Sequence, residues 1–192
     1  MVSIDDVKKL RDETGVSIMQ CKKALEEAGG DFEKAKVILR KVSAQIAEKK
    51  AERELGAGAV QAYVHAGNTV AGVVVLACET DFVAKNEEFV SLARDIAMHI
   101  AAMAPQFLKK EDVTDDDIKA AKEIFEEEAK DKPEDIREKI VQGKLDSYLK
   151  DKVLLEQAFI KDQSKTIKDL LSEATQKFGE RVDIVRFERF SV

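Results

Sequence analysis

Tryptophan is absent from this chain of 192 residues, proline occurs only at Pro105 and Pro133, and glycine occurs only 9 times. Few turn formers leave little room for long irregular loops. Cysteine is limited to Cys21 and Cys78, far apart in sequence and without metal-ligand spacing. The opening "MVSIDDVKKL" has no apolar leader. Two such cysteines read as reduced thiols of a cytoplasmic protein, not as a disulfide framework. The apolar run "VAGVVVLA" is far shorter than the roughly 20 residues a membrane-spanning helix requires. A concentrated basic stripe is missing too: the 32 Lys and Arg are scattered among 38 Asp and Glu, for a net charge of -6. This speaks against direct contact with DNA or RNA, while leaving room for work on a ribosome-associated protein.

What is present is a hydrophobic fraction of 44% beside a charged fraction of 36%. That combination suits amphipathic helices with solvated charged faces, in a chain long enough for one medium domain or two small ones. Ser3 can cap a first helix, "IDDVKKLRDE", with Ile4, Val7 and Leu10 on one face; Thr14-Gly15 interrupts it. Ser17 can cap "IMQCKKALEEA", which Gly29 and Gly30 end, and Asp31 can cap "FEKAKVILRKVSAQIAEKK". Residues 1–52 therefore read as a small three-helix bundle.

After the charged link "AEKKAERELGAG", residues 47–58, the period changes from helical to strand-like. "AVQAYVHA" and "TVAGVVVLACE" flank Gly67-Asn68 and predict a β-hairpin, its second strand apolar on both faces. A helix over "NEEFVSLARDIAMHIAAM" follows, stopping before Pro105. Thr114 can cap "DDDIKAAKEIFEEEAK", and Pro133 can start "EDIREKIVQGKLDSYLKDKVLLEQ". A short extended "AFI", a helix over "KTIKDLLSEATQKF" and a closing strand "RVDIVRFERF" complete the chain. The predicted fold class is α+β: the helical bundle, then a core over 53–192 in which the last strand joins the hairpin to make a three-stranded antiparallel sheet with helices.

Catalysis finds no positive support. Cys78 continues an apolar strand, where cysteine usually behaves as an inert small hydrophobe, and nothing local supplies a base or an oxyanion hole. His65 reads as exposed beside the hairpin turn and His99 as a structural histidine on an apolar helix. There is no phosphate-binding Gly-rich loop, metal cluster or nucleophile elbow, so neither cofactor nor metal is expected. Two stretches point instead to binding. In "CETDFVAKN", Asp81 can cap the following helix with Phe82 stapling it, or Phe82 can stand exposed as a wedge for a partner. In "LRDETGVSIMQCKKAL", one of Ile18 and Met19 is expected to fill the bundle core and the other to form an apolar contact rimmed by Lys22.

Those two stretches resemble the two signatures of elongation factor Ts, the first usually close to L-R-x-x-T-G-x-G-M-M-D-C-K-K-A-L and the second centred on T-D-F-V-A-K. "IAMHIAAMAPQFL", "KIVQGKL" and "SKTIKDLL" are similar to later family segments. Departures are few: Ser17 stands where Gly is usual, Gln20 where Asp is usual and Val75 where Glu is usual. The resemblance implies a ubiquitin-associated-like N-terminal bundle and a guanine-nucleotide exchange factor, not an enzyme, acting on the GTPase elongation factor Tu. It implies that Asp81 and Phe82, with Thr80 opening the same motif, meet that GTPase near its magnesium and phosphate site. Arg11, Ile18, Met19 and Lys22 match the family's N-terminal contacts, and His99 is a further contact candidate. The chain resembles the short form of the family, whose members are expected to pair as homodimers. A general interaction module on the bundle and a thiol enzyme using Cys78 are the competing classes.

Overall fold

A computed structural model of the chain describes residues 2–192. The first three helices are α1 (Ile4–Thr14), α2 (Ile18–Glu27) and α3 (Phe32–Lys50). Each starts where a polar side chain takes up an orphan amide: the side chains of Ser3, Ser17 and Asp31 accept from the N–H of Asp6, Gln20 and Lys34. Gly15 closes α1 with φ of 69°, where its N–H bonds the carbonyl of Arg11. Val7, Leu10, Val16, Cys21, Leu25 and Leu39 bury a common core among the three helices.

A β-hairpin follows, β1 (Ala57–Val64) and β2 (Val70–Cys78). Its turn is tightened by Asn68 at φ 56°. After a four-residue helix α4 (Asp81–Ala84) comes α5 (Glu87–Met103), whose Phe89, Ile96 and Ile100 are fully buried. Helices α6 (Asp115–Ala129) and α7 (Glu134–Lys152) form an antiparallel pair, fastened by an edge-on contact of Phe125 with Tyr148 and by Arg137, which donates to the carbonyls of Lys130 and Lys132. Strands β3 (Ala158–Phe159) and β4 (Asp162–Thr166), helix α8 (Ile167–Phe178) and β5 (Asp183–Ser191) complete the order. The main sheet is antiparallel with order β1-β2-β5. The class is α+β, as the sequence predicts, with the apolar β2 in the centre and β5 as the third strand.

Two elements differ from the sequence expectation. Helix α7 ends at Lys152, not beyond Leu155. Val153 is extended and bridges Phe107, and the N–H of Leu154 bonds the carbonyl of Phe107. Val153 and Leu154 are wholly buried, so their burial, in an extended residue followed by a 3-10 turn over Leu154–Glu156, wins over α-helix continuation. Second, Lys165 and Thr166 belong to β4, not to the last helix. Ala158 pairs with Thr166 and Phe159 with Asp162 in a small hairpin, which the polar sequence "DQSKT" conceals because it carries no hydrophobic alternation.

The chain packs into two compact units. One comprises the chain up to Ala59 with Leu76–Leu92 and Asp169–Val185; the other comprises Val60–Val75, Ala93–Lys168 and Arg186–Val192. The first unit thus holds more than the three opening helices. Ser43 of α3 hydrogen-bonds the side chain of Gln176, and Lys50 donates to the carbonyl of Gly179.

Candidate functional site

The first exposed feature is the start of α2. Ile18 is 58% and Met19 80% exposed. The expectation that one of them fills the bundle core is therefore corrected. Val16 before the cap and Cys21, Ala24 and Leu25 after it already occupy the inward positions, so the first turn of α2 points both large apolar side chains to solvent. Lys22 lies on the same helix, loosely paired with Glu26 at 3.8 Å, and Arg11 of α1 pairs with Asp12 at 3.3 Å. Both pairs are solvent-exposed and cheap to exchange for a partner's groups.

The second feature is the turn after β2. Phe82 is 81% exposed and fills no part of the core; its neighbour Val83 is the buried anchor of α4. The staple reading of Phe82 is thereby overturned. The capping reading of Asp81 is overturned too, because Thr80 occupies the cap position and Asp81 is the first helical residue. Asp81 instead forms an ion pair with Lys85 at 2.6 Å, which holds its carboxyl below the usual aspartate range. Thr80 offers α4 no side-chain cap. Its hydroxyl and its backbone N–H both donate to the carboxylate of Glu180, at 2.6 and 2.9 Å. Glu79 accepts from the N–H of Arg181 at 2.6 Å and from the guanidinium of Arg53 at 3.2 Å. Of these supporting residues Glu180, Arg181 and Arg53 escaped the sequence reading: Thr80 and Glu180 lie 100 positions apart, and no local spacing links them.

The remaining candidates are interior or inert. His99 is fully buried. Its Nδ1 accepts from the N–H of Ile160 at 3.3 Å, which leaves Nε2–H to donate to Gln157 at 2.9 Å. Burial holds the imidazole below its usual value and so favours the neutral ring. His99 therefore presents no surface to a partner, and its expected contact role gives way to a structural one. Cys78 is buried and donates its S–H to the carbonyl of Thr80 at 3.2 Å; burial, then the charge of Glu180, pushes the thiol up and disfavours a thiolate. His65 is exposed, with Tyr63 Oη 3.2 Å from its Nδ1. Among the described residues no group of three or more His, Cys, Asp or Glu could hold a metal ion, and no helix is long and apolar enough to cross a membrane.

Exposed apolar side chains thus stand on the capped start of α2 and on α4, which is braced through Thr80 by Glu180. The sequence model of the family described as elongation factor Ts matches residues 17–192. Among curated relatives, elongation factor Ts of Thermosipho melanesiensis is 48% identical over 194 residues, covering all of this chain and 99% of that protein. The elongation factor Ts of Thermotoga petrophila is 48% identical over 191 residues, covering all of this chain and 96% of that protein. That of Thermodesulfovibrio yellowstonii is 49% identical over 187 residues, covering 97% of this chain and 94% of its own. These matches place the chain in the class of translation elongation factors. Within that class, it belongs to the elongation factor Ts family.

Proposed function

We propose that this chain is a guanine-nucleotide exchange factor that promotes GDP release from elongation factor Tu by disturbing the magnesium and phosphate site of that GTPase. The observation that carries the reading is Phe82, 81% exposed on a four-residue helix, with the anionic Asp81 beside it. A partner accelerates nucleotide release only if it binds the nucleotide-free state better, and the coupling is reciprocal. Each tenfold in nucleotide affinity requires about 1.4 kcal/mol. Burying one phenylalanine contributes roughly 1.5–3 kcal/mol, so Phe82 supplies one or two decades and not the whole effect. The rest comes from a broad interface in which the N-terminal module, through Ile18 and Met19 rimmed by Arg11 and Lys22, and the core grip different parts of the GTPase and together favour its nucleotide-free state.

On this reading residues 1–52 are the docking part, and 53–192 carry the exchange turn and a homodimerisation surface. The boundary separates roles and not packing, since α3 is bonded to Gln176 and Gly179. Lys85 releases Asp81 at little cost, because both groups of the pair are solvent-exposed and water screens their attraction. The factor acts in the cytoplasm, needs no nucleotide, cofactor or metal of its own, makes no direct contact with nucleic acid or membrane, and performs no covalent chemistry. Release of a fluorescent GDP from elongation factor Tu tests the proposal. The chain is expected to accelerate release, and Phe82→Ala to lower the accelerated rate about 10- to 100-fold. The variant's denaturant melt should overlay that of the parent, because an exposed ring leaves no cavity. Unchanged release with Phe82→Ala would remove the wedge. Binding to elongation factor Tu without any faster release would leave only an interaction module.

A further inference from the structure

A four-residue helix has no stability of its own, since nucleating a helix costs more than one turn of hydrogen bonds returns. The direction in which α4 presents Phe82 must therefore be set by its surroundings. Two acids do this reciprocally. Glu180, in the link between α8 and β5, takes the N–H of Thr80 at 2.9 Å and its hydroxyl at 2.6 Å. Glu79, at the end of β2, takes the N–H of Arg181 at 2.6 Å. Each acid bonds the backbone of the residue that follows the other acid. Arg53 donates to Glu79 at 3.2 Å and gives its own carbonyl to the guanidinium of Arg181 at 2.7 Å, so the chain leaving α3 is fastened to the same clasp. All of these residues belong to the first compact unit.

We infer that Glu180 is a positioning residue for nucleotide exchange: by holding both donors of Thr80 it fixes the Phe82 turn in the orientation that enters the partner. The inference rests on the exchange reading above. A carboxylate that satisfies an N–H and an O–H together imposes a geometry that one solvent-exposed bond does not. The hydrogen bonds of Glu180 go to Thr80, not to the exposed Ile18 and Met19 of α2, so its loss should leave docking in place and cost orientation only. If the turn then holds the productive direction about one tenth of the time, the competent population falls tenfold.

The test is a set of exchange titrations on the full chain with fluorescent GDP bound to elongation factor Tu. Glu180→Ala is expected to lower the maximal release rate about tenfold, with the half-saturating concentration changed less than about threefold. Its melting midpoint should stay within about 4 °C of the parent. Glu180→Gln, which keeps one acceptor oxygen, should recover part of the rate. Thr80→Val, which removes only the hydroxyl donor, should show a smaller loss of the same kind. In a Phe82→Ala background Glu180→Ala should have no further effect, because both changes act through one ring. Full additivity of the two changes overturns the inference, and so does a maximal rate for Glu180→Ala within twofold of the parent. Should Glu180→Ala melt much lower, the pattern in Thr80→Val decides by the same criteria. A slow Phe82→Ala beside a fast Glu180→Ala removes the clasp alone, whereas a fast Phe82→Ala removes the exchange reading and the clasp with it.

Discussion

A β-carbon placed on Gly72 would stand 2.2 Å from the backbone oxygen of Ala97 and 2.9 Å from the nitrogen of Ala101. Strand β2 thus meets α5 backbone to backbone, and only a residue without a side chain permits it. Gly72→Ala should destabilise the fold by about 1–3 kcal/mol through overpacking against an atom that belongs to a helix and cannot rotate away. Chemical denaturation checks this. A change under about 0.5 kcal/mol, the usual scatter of unconstrained surface substitutions, would show that the approach adapts freely.

The His99 ring gives stability a signed dependence on pH. Its folded value lies below the ordinary 6.5 because the ring is buried, and its Nδ1 must stay unprotonated to accept from Ile160. The unfolded chain takes up this proton near 6.5 while the folded chain resists it, so the stability the neutral ring contributes is present above that pH and lost as pH falls. The difference in unfolding free energy between the parent and His99→Gln should accordingly narrow as pH is lowered through 6.5. A difference that widens on acidification would mean the ring is charged in the native state.

Much of the fold could be read from periods and caps. Ser3, Ser17, Asp31 and Thr114 each cap the helix they precede, and the first strand, expected from Ala59, begins at Ala57. What escaped were features fixed by distant partners. Val153 leaves the helix because the chain around Phe107 offers it a bridge, and β4 is a strand because Ala158 and Phe159 pair with it. The site divides in the same way. "TDF" marks a residue pair by its local pattern, but whether Phe82 lies inside or outside depends on Val83 having taken the buried position. Glu180 carries no local mark at all.

The apolar start of α2 should separate binding from stability. Ile18 and Met19 are exposed in the free chain, so replacing both by alanine opens no cavity and should shift the unfolding free energy by less than about 1 kcal/mol. Removing two side chains from a buried contact should weaken association with elongation factor Tu at least about tenfold. Calorimetric titration against the nucleotide-free GTPase measures the second effect and a denaturant melt the first. Unchanged affinity in a folded double variant would take docking away from α2.

The proposed homodimer has a candidate surface in the second unit. Val60 and Val64 on β1 are 64% and 58% exposed, and Phe190 on β5 is 59% exposed. Strand β1, "AGAVQAYV", contains no charged residue and no proline, the usual devices that keep a sheet edge from pairing. A symmetric pair is the commonest way to cover such a surface, and a stable one buries about 800 Å² on each partner. Sedimentation equilibrium at micromolar concentration should give a dimer for the parent chain. Val60→Glu combined with Val64→Glu should give a folded monomer, because like charges brought together across a two-fold axis repel while each remains solvated in the free chain. A parent that sediments only as a monomer would reject the dimer. A dimer that survives both substitutions would move its interface away from β1. In the first case a single Phe82 turn would have to perform exchange alone; in the dimer each assembly presents two, and doubling elongation factor Tu should saturate both.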